Sequence, residues 1–149
     1  QQSAPYPAAV NCRYCEKAPK FEWSKRMRLT EVERKLNAAG LNVGRVRDIF
    51  ASKVSAVSDR VTEIAIHHTR GKLVLRTNTL RSILGHDVIR STNFTAVCTG
   101  GDIVFNGHGW GHGVGLCQWG ARAMAKQGKD FEEILKFYFP GVRIARVKE

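Results

Sequence analysis

Five glycines occupy every second position between residues 107 and 115, and this alternation constrains the fold more than any other feature of the sequence. Glycine lacks a Cβ, so it adopts positive φ readily and lets a ligand or another chain segment approach the backbone closely. The residues between the glycines are His108, Trp110, His112 and Val114. We predict a loop of unusual backbone conformation, called the glycine segment below, and its composition indicates a binding site.

The glycine segment fits neither common phosphate-binding pattern. A Walker P-loop needs Gly-Lys-Ser or Gly-Lys-Thr, and the dinucleotide pattern G-x-G-x-x-G needs a surrounding βαβ unit. Neither is present in the sequence. Two histidines four residues apart, near Trp110 and Trp119, can instead bind a metal, move protons or hold a sugar ring against an aromatic face. They can also simply shape the loop through hydrogen bonds to backbone carbonyls.

Apolar residues at every second position predict antiparallel strands. One hairpin is expected between about residues 54 and 75, with its turn at residues 69–72, and a second between Phe94 and Phe105. Residues 142–147 are expected to form a last short strand. The apolar residues between positions 41 and 50 follow neither helical nor strand spacing clearly, so this stretch is not assigned to either element.

Apolar residues at helical spacing predict four short helices. Polar caps mark the start of three of them, and glycines mark their ends. The predicted helices span about residues 30–39 with Thr30 and Glu33 as a capping box, 78–84 with Asn78 as cap, 118–126, and a stretch that Asp130 and Glu133 cap.

These elements predict an α+β fold with a mostly antiparallel sheet and several short helices. We expect residues 12–149 to form a single domain or the C-terminal part of a larger one, since 149 residues can bury a sizeable core. Residues 1–11 are small and proline-bearing, which is typical of a leading segment or linker. Because residue 1 is Gln, we expect a cut end there, with an export signal or another segment upstream. No window has the roughly 18 consecutive apolar residues of a membrane span.

The charge of the chain favours polyanionic partners. Lys and Arg total 24 against 13 Asp and Glu, which gives a net charge of +11. Nucleic acid, anionic lipid and an anionic cell wall would all be attracted. The basic residues are scattered and form none of the dense blocks of a nucleic-acid-binding tail, so we expect no nucleic-acid partner. A basic zinc-ribbon-like nucleic-acid module remains the alternative.

The cysteines suggest a metal site. Cys12 and Cys15 form C-x-x-C, a spacing that lets one turn present two thiolates to zinc. If the leading segment folds back onto the loop, Cys117 and His112, or His108, would complete a tetrahedral Cys₃His set. A disulfide, a redox pair and free buried thiols are the alternatives. Cys98 falls in a predicted strand and is expected to be a small core residue. Three thiolates leave zinc little Lewis acidity, so we expect a structural zinc.

The longest motif of the chain resembles a known family. The run from Phe105 to Gly128 (FNGHGWGHGVGLCQWGARAMAKQG) and the run from Phe131 to Gly141 (FEEILKFYFPG) closely resemble the end of the stage II sporulation protein D domain. Arg90 to Thr95 (RSTNFT) is similar to the strand that precedes the loop in that family. The motif-bearing part covers about residues 75–147.

The resemblance implies a peptidoglycan-acting domain that is exported to the cell envelope or periplasm, with any membrane anchor outside this chain. The family contains lytic transglycosylases, which cleave the bond between N-acetylmuramic acid and N-acetylglucosamine to 1,6-anhydro products, and relatives described as enhancers of a wall amidase. The implied partners are glycan strands and a cell-wall amidase. A non-catalytic wall-binding or amidase-enhancing module is the alternative function. The implied substrate-binding residues are His108, Trp110, His112, Gln118 and Trp119.

The resemblance also implies a catalytic acid. The family places it on a Glu in an N-terminal helical region rich in Ala, Gln and Arg, and this sequence contains no such region. The reaction needs a carboxyl group that stays protonated near neutral pH. None of the glutamates near the predicted helix starts has the apolar setting that raises a carboxyl pKa, so no residue is assigned as the acid. Those glutamates are Glu31, Glu33, Glu132 and Glu133.

Overall fold

The computed structural model describes residue 10, residues 12–15 and residues 21–145, and these residues contain six strands and four helices. Every strand pair within its two three-stranded sheets is antiparallel. The predicted α+β class is therefore confirmed. The elements are β1 (Glu22–Arg28), α1 (Leu29–Ala38), β2 (Val46–Val54), β3 (Val61–His68), β4 (Gly71–Arg76), α2 (Thr77–Leu84), β5 (Phe94–Thr99), β6 (Asp102–His108), α3 (Gln118–Lys126) and α4 (Phe131–Tyr138).

The described residues fall into two compact units, within Lys20–His112 and within Gln1–Pro19 together with Gly113–Glu149. The larger unit holds both sheets, with strand orders β1-β6-β5 and β2-β3-β4, and helices α1 and α2. Its core forms where alternate strand residues and one face of each helix turn inward. The fully buried side chains of this core include Val32, Leu36, Ile49, Ile64, Ile66, Leu80, Leu84, Ile89, Ile103 and Phe105.

The predicted hairpins are confirmed as β3–β4 and β5–β6, but β1 and β2 were not predicted. In β1 the buried residues Trp23 and Met27 are four apart, so period-two alternation is missing there. Lys25, which lies between them, pairs with buried Phe105 yet stays exposed. A strand at the edge of a sheet can expose such positions, and this hides it from a pattern search.

Two predicted helix caps are wrong, although the helices themselves are confirmed. Helix α1 begins at Leu29 without a side-chain cap, and the Glu33 carboxylate instead accepts a hydrogen bond from the Val46 N–H at 3.2 Å. Helix α2 begins at Thr77, one residue before its predicted cap Asn78. In both cases a helix follows a strand directly, so the chain enters it without the loop that a polar cap normally terminates.

The smaller unit contains α3 and α4. Helix α3 has its predicted bounds, and α4 begins with the predicted capping box: Asp130 accepts from the Glu133 N–H at 2.8 Å, and Glu133 accepts from the Asp130 N–H at 3.1 Å. Met124, Ile134 and Tyr138 form its buried core.

Three further expectations concern the chain ends and the membrane. The strand predicted over residues 142–147 is wrong for residues 142–145, which have no regular structure, and its last residues lie outside the described part. The leading segment predicted over residues 1–11 also lies outside it, apart from Val10, which packs against the core of the smaller unit. None of the described helices combines the length and apolar character that crossing a bilayer requires.

Candidate functional site

The glycine segment has the unusual backbone that its sequence predicts. Gly109, Gly111, Gly113 and Gly115 have φ angles of 72°, 119°, 78° and 83°. Residues with a Cβ rarely adopt such angles, because the Cβ then crowds the following carbonyl oxygen. Left-handed conformations at every second residue keep this part of the chain out of any regular helix or strand.

Gly107 is required for a different reason, which is space. It lies in β6 opposite Trp23 in β1 and opposite Phe94 in β5. A Cβ built on Gly107 would overlap the Trp23 indole and would lie 2.6 Å from the backbone oxygen of Asn93. The indole therefore packs directly against the backbone of β6, and it belongs to the core of the larger unit.

Residues 89–93, called the anchor segment below, hold the first half of the glycine segment through hydrogen bonds. The His108 N–H donates to the Asn93 carbonyl at 2.9 Å, and the Ser91 hydroxyl donates to the His108 carbonyl at 2.6 Å. The Gly111 N–H donates to the Arg90 carbonyl at 2.8 Å. These bonds fix the backbone on both sides of Trp110.

A buried arginine in turn fixes the anchor segment. Arg81 of α2 is only 7% exposed, and its guanidinium donates to the carbonyls of Ile89 at 2.7 Å and Arg90 at 2.8 Å. Burial lowers the pKa of Arg81 from its ordinary value of 12.5. The group still keeps its charge near neutral pH, because an arginine pKa starts so high. The Arg90 carbonyl thus accepts from both Arg81 and Gly111.

The side chains of this half of the glycine segment reach solvent. Trp110 is 56% exposed, and the guanidinium carbon of Arg90 lies 5.1 Å from the centroid of its ring. His108 is also exposed, and its Nε2 lies 4.0 Å from a carboxylate oxygen of Glu22. An open depression of about 400 Å³ lies at this pair, and its lining consists of Glu22, Trp23, Ser24, Asn106, Gly107 and His108.

The other predicted binding residues are exposed as well. His112 lies in the larger unit, whereas Gln118 and Trp119 begin α3 in the smaller one. Trp119 is 44% exposed, and the Arg122 guanidinium lies 5.1 Å from its ring centroid. All five side chains are thus accessible, and their role in binding a saccharide stays a prediction.

Three cysteines of the smaller unit come together as the sequence suggested. The sulfur atoms of Cys12, Cys15 and Cys117 all lie within 4.8 Å of one another. A zinc ion with Zn–S distances of about 2.3 Å in a tetrahedron would hold its sulfurs about 3.8 Å apart, so small movements would suffice. These residues could therefore hold a metal ion. His112, the predicted fourth ligand, belongs to the larger unit, and its part in the site stays a prediction.

The surroundings of the three-cysteine cluster are built around Tyr138 of α4. Its hydroxyl lies 3.0 Å from the Cys12 sulfur in a hydrogen bond, and the residue is only 2% exposed. The Gly120 N–H donates to the Cys117 sulfur at 3.4 Å at the start of α3. A Cβ on Gly120 would overlap the Tyr138 hydroxyl and would lie 2.6 Å from the Cys12 sulfur. Glycine at this position thus makes room for the cluster.

The electrostatics of the cluster disfavour free thiolates and would favour a cation. Burial, together with the neighbouring sulfurs of Cys117 and Cys12, raises the pKa of the Cys15 thiol from 9.0 to about 12. The pKa of Tyr138 is raised as well, chiefly by burial and then by its hydrogen bond to Cys12. Negative charges that repel one another in a half-buried site are stabilised together when a divalent metal binds them.

The disulfide alternative has no support in the geometry, because all four cysteines are free. Cys98 packs against the core of the larger unit, as expected, and its sulfur donates to the Ile49 carbonyl at 3.8 Å. Burial raises its pKa, so it is a poor nucleophile at neutral pH.

Sequence reasoning missed the residues that support the site. It gave no role to Tyr138, for which the available signal was a hydroxyl on the buried face of α4. It gave no role to Arg81, whose position on the buried face of an amphipathic helix was the available signal. Arg90 was noted only as part of a motif.

No described glutamate near a helix start has the setting of a general acid. Glu132 pairs with Lys136 at 3.1 Å, and Glu133 pairs with Lys129 at 2.6 Å, both at exposed positions. The hydrogen bond from Lys129 lowers the pKa of Glu133, which is opposite to what a proton donor needs.

The fold and the candidate site place the chain in a class of proteins: α+β domains with exposed histidine and tryptophan in a glycine-rich segment. The sequence model of the family described as "Domain of unknown function (DUF8618)" matches residues 11–115, and the chain belongs to this family.

Named relatives share most of the chain. It is 34% identical over 142 residues to an uncharacterized protein of Brachyspira hyodysenteriae, and 30% identical over 143 residues to stage II sporulation protein D of Bacillus subtilis. Each alignment covers 95% of this chain. It is also 40% identical over 68 residues, or 46% of its length, to the amidase enhancer of Bacillus subtilis. The predicted membership of the stage II sporulation protein D family is confirmed.

The alignments cover only part of each relative. The chain spans 37% of the length of the Brachyspira protein, 38% of stage II sporulation protein D and 10% of the amidase enhancer.

Proposed function

We propose that this chain is a peptidoglycan-acting domain of the cell envelope that contacts glycan strands through the glycine segment. The observation that carries the proposal is the exposed Trp110, whose backbone neighbours are fixed by hydrogen bonds to the anchor segment. A large aromatic ring that is held rigid and left exposed offers binding area at little cost in conformational entropy. The names of the relatives support a role at the cell wall.

In this proposal the predicted residues of each unit contact the saccharide. Trp110 and Trp119 offer apolar faces to sugar rings, and His108, His112 and Gln118 offer hydrogen bonds to hydroxyl and N-acetyl groups. The net charge of +11 attracts the chain to the carboxylates and anionic polymers of the wall. This attraction is long-ranged and does not by itself select a bond to cleave.

The proposed reaction is that of a lytic transglycosylase. It cleaves the bond between N-acetylmuramic acid and N-acetylglucosamine and gives a 1,6-anhydro end. A carboxyl group first donates a proton to the leaving oxygen, and the same group then accepts the proton of the attacking 6-hydroxyl. No described glutamate near a helix start has the setting for this task, so this chain is assigned the glycan contacts and the acid is left unassigned.

The second candidate is a non-catalytic wall-binding or amidase-enhancing module. The similarity to a protein named amidase enhancer favours it, because that alignment has the highest identity of the three. Such a module needs the glycan surface and a partner amidase, and it needs no acid of its own.

We also propose that the three-cysteine cluster binds zinc as a structural ion. Cys12, Cys15 and Cys117 would hold it, and the ion would join the segment before β1 to the start of α3. A zinc ion supplies folding free energy when its ligands are distant in sequence, because the unfolded chain lacks a preformed site. Three soft thiolate ligands suit zinc better than magnesium or calcium.

The glycan proposal is tested by sedimentation of the chain with purified peptidoglycan sacculi. Trp110→Ala should weaken binding about 10-fold or more, as the loss of a central aromatic contact does in other interfaces. Phe131→Ala is the matched control, since Phe131 is an exposed aromatic residue (66%) at the start of α4. Equal binding by wild type and Trp110→Ala would contradict the proposal.

The choice between the two candidate functions needs a product analysis. Glycan strands are incubated with the chain and examined for anhydro-muropeptides by mass spectrometry. Anhydro products that depend on the chain would exclude the non-catalytic module. Binding without such products, together with stimulation of an added wall amidase, would exclude the transglycosylase.

The zinc proposal is tested by metal analysis of the purified chain. We expect one equivalent of zinc in the wild type, its loss in Cys15→Ser and its retention in Cys98→Ser. Cys98 is the matched control because it belongs to the larger unit and is not one of the three clustered cysteines. Retention of zinc by Cys15→Ser would contradict the proposal. A count of two free thiols in place of four, measured in the unfolded and metal-free chain, would also contradict it.

A further inference from the structure

Arg90 and Trp110 form a composite surface that the proposed function does not yet explain. The guanidinium carbon lies 5.1 Å from the ring centroid, which is within the range of a cation–π interaction. Arg90 is half-buried, while Trp110 is exposed. The arginine therefore leaves much of the indole open to solvent.

The backbone of this pair is fixed before any ligand arrives. The Arg90 carbonyl accepts from the guanidinium of Arg81 and from the Gly111 N–H, both at 2.8 Å. These bonds hold residue 90 and the residue after Trp110 together. Because they use the backbone of Arg90, its side chain is not needed to build the anchor segment. A preorganised pair loses little entropy on binding, which favours affinity.

The charge of Arg90 is not paired within the described part of the chain. None of the ion pairs among the described residues involves Arg90. They use other cations, such as Arg26 with Asp102 at 3.7 Å and Lys129 with Glu133 at 2.6 Å. A guanidinium presents N–H donors in a planar fork that matches a carboxylate. Arg90 is therefore suited to an anionic ligand whose remaining part stacks on an aromatic ring.

We propose that Arg90 and Trp110 form a subsite for a sugar residue that carries a carboxylate, with the sugar ring on the indole and the carboxylate on the guanidinium. This inference rests on the proposed glycan binding and deepens it. In peptidoglycan the sugar of this chemistry is muramic acid, whose lactyl group ends in a carboxylate when no peptide is attached. N-acetylglucosamine lacks that group, so the subsite distinguishes the two sugars of the strand.

A single-stranded nucleic acid is the other polymer that combines stacking rings with negative charge. The local charges favour the saccharide. The Glu22 carboxylate lies 4.0 Å from His108, two residues before Trp110, and it would repel a chain of phosphates. A sugar strand that alternates charged and neutral residues can place a neutral residue there.

The test measures binding of the full chain to three soluble glycans of equal length. The first is a peptide-free strand of alternating N-acetylglucosamine and N-acetylmuramic acid. The second is the same strand after its carboxylates are converted to neutral methylamides. The third is an N-acetylglucosamine oligomer. We expect wild type to bind the first about 10- to 100-fold more tightly than the other two, as the loss of a charge-assisted hydrogen-bonded pair predicts.

The variants separate the roles of the two residues. Arg90→Gln should bind all three glycans with the weak affinity that wild type shows for the neutral ones, and Arg90→Lys should recover part of the preference. Trp110→Ala should weaken binding to all three. Arg34→Gln, which removes the same charge from an exposed position on α1, should keep the full preference of wild type.

The outcomes distinguish this inference from the proposed function. If wild type binds the three glycans equally, the subsite is wrong while glycan binding stands. If wild type binds none of them, both are wrong. The same series includes an oligonucleotide of matched charge, and tighter binding to it that Arg90→Gln abolishes would overturn the saccharide subsite. Loss of the carboxylate preference in Arg34→Gln would also overturn it, because net charge would then explain the result.

Discussion

Replacing Gly107 by alanine tests why the first glycine of the segment is there. A Cβ at this position would lie 2.6 Å from the Asn93 carbonyl oxygen and would overlap the Trp23 indole. Carbon atoms normally stay about 3.5–4.0 Å from such neighbours. Trp23 is buried, and the Asn93 oxygen is held by the His108 N–H at 2.9 Å, so neither can yield freely.

The expected cost of Gly107→Ala is at the upper end of the overpacking range, about 3 kcal/mol of the free energy of unfolding. Gly109→Ala is the matched comparison two residues later. A Cβ on Gly109 meets nothing within 4 Å, but its φ of 72° is left-handed. An alanine there should cost only about 1 kcal/mol, because left-handed strain of about 1–2 kcal/mol is partly offset by the lower entropy of the unfolded chain.

Urea unfolding followed by circular dichroism and tryptophan fluorescence measures both costs. We expect Gly107→Ala to lower the free energy of unfolding of the larger unit about three times as much as Gly109→Ala. Replacing Gly109 by asparagine, which tolerates left-handed backbone, should cost less than alanine. Equal costs at Gly107 and Gly109 would refute the reasoning, since space and backbone conformation would then not be separate requirements.

Three further predictions concern the smaller unit. Asp130→Ala removes the N-cap of α4 and should cost about 1 kcal/mol in urea unfolding, whereas no change would contradict the capping box. The hydrogen bond from Lys129 lowers the pKa of Glu133 below its ordinary value of 4.5. The ionised Glu133 should therefore stabilise the fold fully above pH 4.5, and this stabilisation should be lost as the pH falls below 4.5. Glu133→Gln should flatten that part of the curve of unfolding free energy against pH. Tyr138→Phe removes the hydrogen bond to Cys12 and should weaken metal binding about 10- to 100-fold in chelator competition, and unchanged affinity would contradict this supporting role.

Local features of the fold were predictable from the sequence. The two hairpins, the bounds of α3 and the capping box of α4 follow from residues that are close neighbours in the chain. The left-handed glycines were predictable for the same reason, because the preference for positive φ belongs to the residue itself. In these elements the interactions that decide the structure act over a few residues.

Two of the features that the sequence did not predict correctly, the role of Glu33 and strand β1, involve distant partners. Glu33 has the spacing of a capping residue, yet its carboxylate is used by the Val46 N–H thirteen residues later. Strand β1 was missed because its pairing with β6 joins residues about eighty positions apart. Short-range patterns do not report which of several possible partners the folded chain brings near.

The candidate site divides in the same way. The sequence alone determined that the glycine segment departs from regular structure, that C-x-x-C can hold a metal, and that His108 and Trp110 sit between glycines. Only the tertiary structure decided that Gly107 makes room for an indole, that a buried Arg81 fixes the carbonyl beside Trp110, and that Cys117 joins Cys12 and Cys15. Backbone freedom and ligand chemistry are properties of single residues, whereas close packing and convergence depend on segments that are far apart in the chain and meet only on folding.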